Sequence, residues 1–260
     1  MHILLSNDDG ILAAGLSALR WAVADMGKVT VVAPDCPQSA MGHSITLREP
    51  LTVQPVHVGG GGRAFPGLSV DGRPADCVRL AVRSLLDGPA DLVLSGINAG
   101  ANVGINVFYS GTVAAAAEAA MLGLPAVAFS ADISGGEVDF DRVARLCRHV
   151  LDQLLKDGLS GGQVVNVNIP SLGPDRPKGV KVAHQSTAGL EDLYHRTDGD
   201  NGKTLYQLGE KYRFTQVDEH SDAVCLAEGY ITVTPLKVDM TDHARLSRMA
   251  GETWKTPPIQ

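Results

Sequence analysis

Short apolar runs alternate with longer stretches of helical period through the first two thirds of the chain. His2–Ser6 and Val29–Ala33 read as strands, and between them Leu16, Leu19, Val23 and Met26 fall at helical spacing over Leu16–Met26, which makes a βαβ start. Pro74–Leu86 predicts a helix with proline in its first turn and Val78, Val82 and Leu85 on one face. Asp91–Ser95 predicts a buried strand, Thr112–Leu122 an alanine-rich helix opened by Ser110 and Gly111, and Ala126–Ser130 another strand. Phe140–Leu155 carries Val143, Leu146, Val150, Leu151, Leu154 and Leu155 on a helical stripe, and Val164–Ile169 closes the series as a strand. Strands separated by helices imply a mostly parallel sheet covered on both faces by right-handed crossovers. The expected fold class is α/β, a doubly wound, Rossmann-like sheet.

The pattern changes at two places. Residues 46–73 hold Thr52-Val53-Gln54-Pro55-Val56 and Gly59–Gly62, which predict a hairpin inserted after the second strand. From His184 onward the chain is polar, rich in Asp, Gly and His, with Tyr230–Thr234 as an apolar run and little helical period. This divides the chain into a core over 1–182 and an extension of loops and β-hairpins over 183–260, too sparse in apolar residues to fold alone and suited to packing on the core or on a neighbouring subunit.

Composition narrows the class. With 44% apolar and 20% charged residues in 260, the chain is that of a globular protein with a sizeable core. Lys and Arg number 22 against 29 Asp and Glu, a formal charge of −7, which argues against a basic face that holds long nucleic acid. No stretch approaches the roughly 18 uninterrupted apolar residues of a membrane span, and the acidic turn at Asp8-Asp9 is unlike a secretory signal, so a cytoplasmic location is expected. Cys36, Cys77, Cys147 and Cys225 form no C-x-x-C pair, so neither a zinc site nor a disulfide framework is implied.

In an open α/β sheet, ligands bind beyond the carboxyl ends of the strands. The loop after the first strand carries Asn7-Asp8-Asp9-Gly10; that after the second carries Asp35, Gln38, Ser39, Gly42 and His43. The loop after Asp91–Ser95 carries Gly96 to Asn102 and runs on to Ser110-Gly111-Thr112. Two adjacent carboxylates at a buried strand end repel each other, and a divalent cation compensates them; carboxylate, amide and hydroxyl oxygens favour Mg²⁺ or Mn²⁺ over zinc. The alternative is that Asp8 and Asp9 cap the following helix or shape a turn with Gly10. Ser110-Gly111-Thr112 is either an anion site of free N–H groups and hydroxyls or an ordinary N-cap. His43 is either a base or phosphate ligand, or a loop histidine bonded to backbone. Gly96-Ile97-Asn98-Ala99-Gly100 is not the G-x-G-x-x-G of dinucleotide binding, which disfavours a nicotinamide cofactor.

These stretches carry a resemblance. Ile3–Gly10 (ILLSNDDG), Val32–Leu47, Val70–Arg79 (VDGRPADCVR), Asp91–Val103 (DLVLSGINAGANV), Tyr109–Ala117 (YSGTVAAAA), Asn166–Pro170 and Gly229–Leu236 resemble, in order along the chain, the survival protein E (SurE) family of divalent-metal-dependent nucleotidases. The resemblance implies that Asp8, Asp9, Ser39 and Asn98 bind one Mg²⁺ or Mn²⁺ per subunit. It further implies that Ser110, Gly111 and Thr112 hold the phosphate with Asn98 and Gly42. The implied activity is hydrolysis of nucleoside 5′- and 3′-monophosphates, with short polyphosphate in some members, by dimers or tetramers assembled through the C-terminal segment. The chain departs from the family pattern at Gln38-Ser39-Ala40, where many members have Arg-Ser-Gly, at Arg73, where Thr is usual, and at Asn106, where Asp is common. Gln38 removes a cation from near the site.

The expected mechanism is attack of a metal-activated water on the phosphoryl group, with Asp8 or Asp9 orienting or deprotonating that water. Helix N–H groups and the hydroxyls of Ser110 and Thr112 are expected to stabilise the equatorial oxygens. Two rivals differ in register. A haloacid dehalogenase-type phosphatase needs D-x-D-G-T, and here Asn7 stands two before Asp9; a phospho-receiver switch needs an aspartate at the end of its third strand and is about half this length.

Overall fold

The first strand dictates the architecture. In β1 (His2–Ser6), Ile3 and Leu5 point to one face of the sheet and Leu4 to the other, and all three are fully buried. Ile3 and Leu5 join a core with Leu16, Leu19, Val143 and Leu151, while Leu4 joins a second core with Val78, Val113 and Ala116. A strand apolar on both faces needs helices on both.

The computed structural model describes residues 1–59, 61–173, 176–188, 190–191, 194–199, 203–209, 213–214 and 218–254. After β1 come α1 (Ala14–Ala22), β2 (Lys28–Pro34), the pair β3 (Val53–Val58) and β4 (Phe65–Val70), α2 (Pro74–Leu80) and β5 (Leu92–Ala99). Then follow α3 (Gly111–Met121), β6 (Ala126–Ala131), α4 (Phe140–Asp157), β7 (Val164–Ile169) and β8 (Val180–Val182). Beyond these lie β9 (Leu190–Glu191), β10 (Tyr194–Asp198), β11 (Thr204–Leu208), β12 (Arg213–Phe214), α5 (Asp222–Ala227), β13 (Ile231–Leu236) and α6 (His243–Ala250).

Nine strands form the main sheet in the order β3-β4-β2-β1-β5-β6-β7-β13-β8. From β4 to β7 every neighbouring pair is parallel, and β3 runs antiparallel to β4 as the inserted hairpin expected from residues 46–73. α1 packs with α4 on one face and α2 with α3 on the other. The chain builds outward from β1 through β2 to β4, then returns to place β5 on the other side of β1. The crevice between the carboxyl ends of β1 and β5 is therefore the topological switch point, where such sheets bind ligands.

α1 and α2 end earlier than their apolar spacing predicts, whereas α4 runs two residues past Leu155. α1 stops at Ala22, and Ala24–Met26 tightens into a 3₁₀ turn before β2, a common way for a helix to run out. α2 stops at Leu80 and continues as one π turn, in which the Leu86 N–H donates to the Ala81 carbonyl. The extension holds the expected hairpin, β10 with β11, and two helices, α5 and α6, that its weak periodicity did not predict. β13 also crosses the expected boundary: it runs antiparallel to β7 and parallel to β8, inside the main sheet. No helix among the described residues is long and apolar enough to cross a membrane.

Candidate metal and phosphate site

β1 ends in a turn built by its own side chains. Asn7 Nδ2 donates to the Gly10 carbonyl at 2.9 Å, and Gly10 sits at φ +96°, a conformation that favours glycine. The carboxylates of this turn do not cap α1, whose N-cap, Ala13, has no side-chain cap and whose first turn holds no acidic residue. They reach across the crevice instead. Asp8, 5% exposed, accepts a hydrogen bond from the Thr112 hydroxyl on α3, and Asp9, half-buried, accepts the Ala99 N–H from β5 at 2.9 Å.

β5 outruns its apolar segment. Pairing with β6 breaks after Ser95 and resumes at Asn98 opposite Ser130, so the strand carries Asn98 to the crevice. At Gly96, φ is +126° and a Cβ would stand 2.2 Å from the Phe129 carbonyl oxygen, which only glycine allows. Asn98 Nδ2 donates to the Gly100 carbonyl at 2.7 Å, leaving Oδ1 without a hydrogen-bond partner among the described residues. The loop beyond is tied down by a buried amide network. The Asn102 N–H donates to Asn168 Oδ1 at 2.7 Å, its Nδ2 to Ser130 Oγ at 2.9 Å, and its carbonyl accepts Asn166 Nδ2 at 2.7 Å.

α3 comes in from the opposite side. Its alanines let the helix pack closely on the sheet, and nine of its eleven residues are buried. Ser110 is the N-cap, its Oγ accepting the Val113 N–H at 3.1 Å. Gly111 lies flush against the acidic turn: a Cβ there would stand 2.7 Å from Asp8 Cβ and 3.0 Å from its Oδ2. The Thr112 hydroxyl proton is committed to Asp8, and its backbone N–H also donates to the Asp8 carboxylate.

The loop after β2 closes the third side. The Gln38 N–H donates to the Asp8 carbonyl at 2.7 Å, and the Gly42 N–H donates to the Tyr109 carbonyl at 2.9 Å. At Gly42, φ is +55° and a Cβ would approach the Phe108 carbonyl oxygen to 3.0 Å. Ser39, exposed and without a hydrogen bond among the described residues, is carried beside Asp8 by its neighbour Gln38. Asp8, Asp9 and Asn98 thus meet at the switch point, with Ser39 on the loop pinned to it and Gly42, Ser110, Gly111 and Thr112 along one wall.

Burial pushes the Asp8 carboxyl up to about 6, the Thr112 bond opposes this and the neighbouring charge of Asp9 reinforces it. Burial also raises Asp9 above the usual range. The pair lacks a compensating cation of its own, since neither carboxylate has an ion-pair partner among the described residues. Two carboxylates, an amide oxygen and a hydroxyl form a hard-oxygen set, and no cluster of three His, Cys, Asp or Glu occurs among the described residues. The donors fit Mg²⁺ or Mn²⁺.

His43 bonds a side chain rather than the backbone. Its Nε2 bonds Glu118 Oε2 at 2.9 Å, and the other Glu118 oxygen accepts Arg79 Nε at 2.7 Å. Burial disfavours the Glu118 charge, yet the bonds from His43 and Arg79 outweigh it and hold the carboxyl below its ordinary value. The sequence reading passed over Glu118 and the Asn102 network. Their signals were one acid inside an alanine run and two asparagines alternating with valine in Val164–Ile169.

A doubly wound α/β sheet with an acidic pair and a helix N-terminus at its switch point belongs to the class of α/β proteins that bind ligands beyond the carboxyl ends of their strands. The chain belongs to the SurE family: the family model described as "Survival protein SurE" matches residues 3–192. A "5′-nucleotidase SurE" of Syntrophobacter fumaroxidans is 43% identical over 249 residues, 96% of this chain and 98% of the relative. "5′-nucleotidase SurE 1" of Thermus thermophilus is 43% identical over 96% of this chain and 97% of its own. The crystal structure of the SurE protein from Aquifex aeolicus superposes with a TM-score of 0.80 at 36% identity, covering 96% of this chain and 98% of that one. The family match sets aside the haloacid dehalogenase and receiver alternatives.

Proposed function

We propose that this chain is a divalent-metal-dependent 5′-nucleotidase, which hydrolyses nucleoside 5′-monophosphates to nucleoside and phosphate. One observation carries the reading: Asp8, buried and without a cationic partner among the described residues, abuts Gly111 at the N-terminus of α3, so a cation site and an anion site would share a wall. The family supports it, since the relatives carry the name 5′-nucleotidase.

Asp8, Asp9, Ser39 and Asn98 would hold the cation. When bound, it polarises the phosphoryl group and lowers the pKa of a water, supplying a nucleophile at neutral pH. The protein orients the reaction. Thr112 fixes the Asp8 carboxylate through its hydroxyl and its backbone N–H, and the Gly111 N–H at the N-terminus of α3 would stabilise charge on the equatorial phosphoryl oxygens. Ser110 accepts through its oxygen when it caps α3, which leaves its hydroxyl proton for the phosphate. Either Asp8 or Asp9 would take the proton of the attacking water; Asp9 spends Oδ2 on the Ala99 N–H, which leaves its Oδ1 for that role.

The same reading extends to 3′-monophosphates and short polyphosphate as substrates, to Mg²⁺ or Mn²⁺ at one ion per subunit, and to a homodimer or homotetramer assembled in the cytoplasm through residues 183–260, with 1–182 as the catalytic core. A phosphate-release screen over nucleotides and polyphosphate, with EDTA, Mg²⁺ and Mn²⁺ compared, tests it. Release from a nucleoside monophosphate that EDTA abolishes is the expected result, and no release with either metal overturns it.

A further inference from the structure

We propose that Arg73 is a phosphate-binding residue of this site and that Gln38 is the residue that positions it. The proposal rests on the nucleotidase reading for the identity of the substrate, but not for the geometry.

Three elements converge where Arg73 stands. It immediately precedes Pro74, the first residue of α2, and its N–H donates to Asp76 Oδ2 at 2.9 Å. The Cβ that Gly111 lacks would lie 3.1 Å from the Pro74 ring and 2.7 Å from Asp8 Cβ, so the starts of α2 and α3 and the end of β1 meet at one point. The Arg73 guanidinium donates through Nη1 to Gln38 Oε1, and the Gln38 N–H donates to the Asp8 carbonyl at 2.7 Å. A chain of two hydrogen bonds therefore ties the guanidinium to the residue at the centre of the proposed cation site.

The partner's chemistry shows what the tether is for. Arg63, Arg79 and Arg148 each pair with a carboxylate, whereas Arg73 makes no such pair among the described residues. Its side-chain partner is a neutral amide, which holds the side chain without cancelling its charge. Gln38 Nε2 donates to Cys36 Sγ at 3.3 Å, which turns Oε1 rather than the amide nitrogen toward the guanidinium. Arginine has five N–H donors in a planar fork; one is spent on Gln38, and the others match two oxygens of a phosphate. Because the two side chains touch, a cation carried at position 38 would reach the place that the Arg73 guanidinium occupies from the start of α2.

The test compares the full-length chain with Arg73→Ala, Arg73→Lys and the double exchange Gln38→Arg/Arg73→Thr. Readouts are KM and kcat for a nucleoside monophosphate, calorimetric binding of inorganic phosphate to the Mn²⁺-loaded protein, Mn²⁺ affinity and Tm. Arg73→Ala is expected to raise KM and weaken phosphate binding by about 10- to 100-fold, the range for a hydrogen bond between charged groups, with Mn²⁺ affinity and Tm unchanged. Arg73→Lys should recover part of the loss and the double exchange most of it. Phosphate affinity within twofold of wild type in Arg73→Ala overturns the proposal, as does a parallel fall in Mn²⁺ affinity, which would make Arg73 a structural support of Asp8. If Arg73→Ala does not fold, the same criteria apply to Arg73→Lys against the double exchange: equal loss of phosphate affinity in both overturns the proposal. If the wild type releases no phosphate from any nucleotide, the nucleotidase reading fails, and phosphate calorimetry still decides on Arg73.

Discussion

Two buried carboxylates, both in contact with α3, are treated in opposite ways. Glu118, in the second half of the helix, is 2% exposed and receives Arg79 and His43, so its charge is balanced within the chain. Asp8, at the N-terminal end, is 5% exposed and receives only neutral donors, the Thr112 hydroxyl and backbone N–H groups, with a second acid as its neighbour. One helix, one kind of group and similar burial thus give one carboxyl held below its ordinary value and another pushed up to about 6. The first is a finished structural contact; the second is a carboxyl with no balancing cation among the described residues, which is what the proposed cation site would complete.

The largest test of that contrast is Asp8→Asn. It should abolish metal-dependent phosphate release while leaving Tm unchanged or higher in the metal-free chain, because a buried neutral amide replaces a disfavoured charge. Full turnover in this variant would end the comparison. Thr112→Val comes next: loss of the hydroxyl that orients Asp8 should weaken Mn²⁺ binding by about 10- to 100-fold, the cost typical of removing a group that fixes a ligand, read by titration calorimetry.

A third test uses pH. Asp8 carries its proton up to about 6 in the metal-free chain. Mn²⁺ must displace that proton in acid, so affinity should fall by roughly tenfold per pH unit below that point and level off above it. A flat profile between pH 5 and 7 would mean that Asp8 is not a ligand.

The smallest effect belongs to the finished contact. Glu118→Gln should cost about 1–2 kcal/mol of stability at neutral pH, discounted because Arg79 is half exposed, with Mn²⁺ affinity unchanged. Because the folded-state pKa of Glu118 is lowered, its stabilisation is present above the ordinary carboxylate range and disappears as pH falls through the lowered value. Denaturant melts of the two proteins should therefore converge in acid.

The parts of this arrangement that lie within one segment were legible in the sequence. Val164–Ile169 and His2–Ser6 form strands with the predicted ends, because each is a continuous apolar run or alternation that packs on both faces. The loops that carry Asp8, Asp9, Ser39, Asn98 and Ser110 to Thr112 were found from the rule that strand ends converge. What escaped depends on partners distant in sequence. β5 was expected to end at Ser95, but pairing with β6 resumes at Asn98, a polar position whose strand character comes from its neighbour. β13 was read as a strand, yet nothing in its residues says that β7 and β8 flank it. α6 buries none of its residues, so no core-facing stripe announced it. Arg73 and Gln38 were noted separately, and their contact required the fold.

The loop between β2 and β3 is of a different character from the rest of the site. Asp8, Asp9 and Asn98 take their positions from strand ends that the whole sheet holds in register, and α3 is locked by its own small side chains. Gln38, Ser39 and Gly42 sit on a stretch without helix or strand, attached by main-chain bonds that do not depend on side-chain identity. Substitutions there leave the hydrogen bonds from the Gln38 and Gly42 backbone in place, except where a new residue cannot adopt the turn at position 42. The site is consequently divided between fixed and adjustable parts: its strand-end residues are set by the sheet, and the side chains along its edge can be exchanged one at a time without moving them.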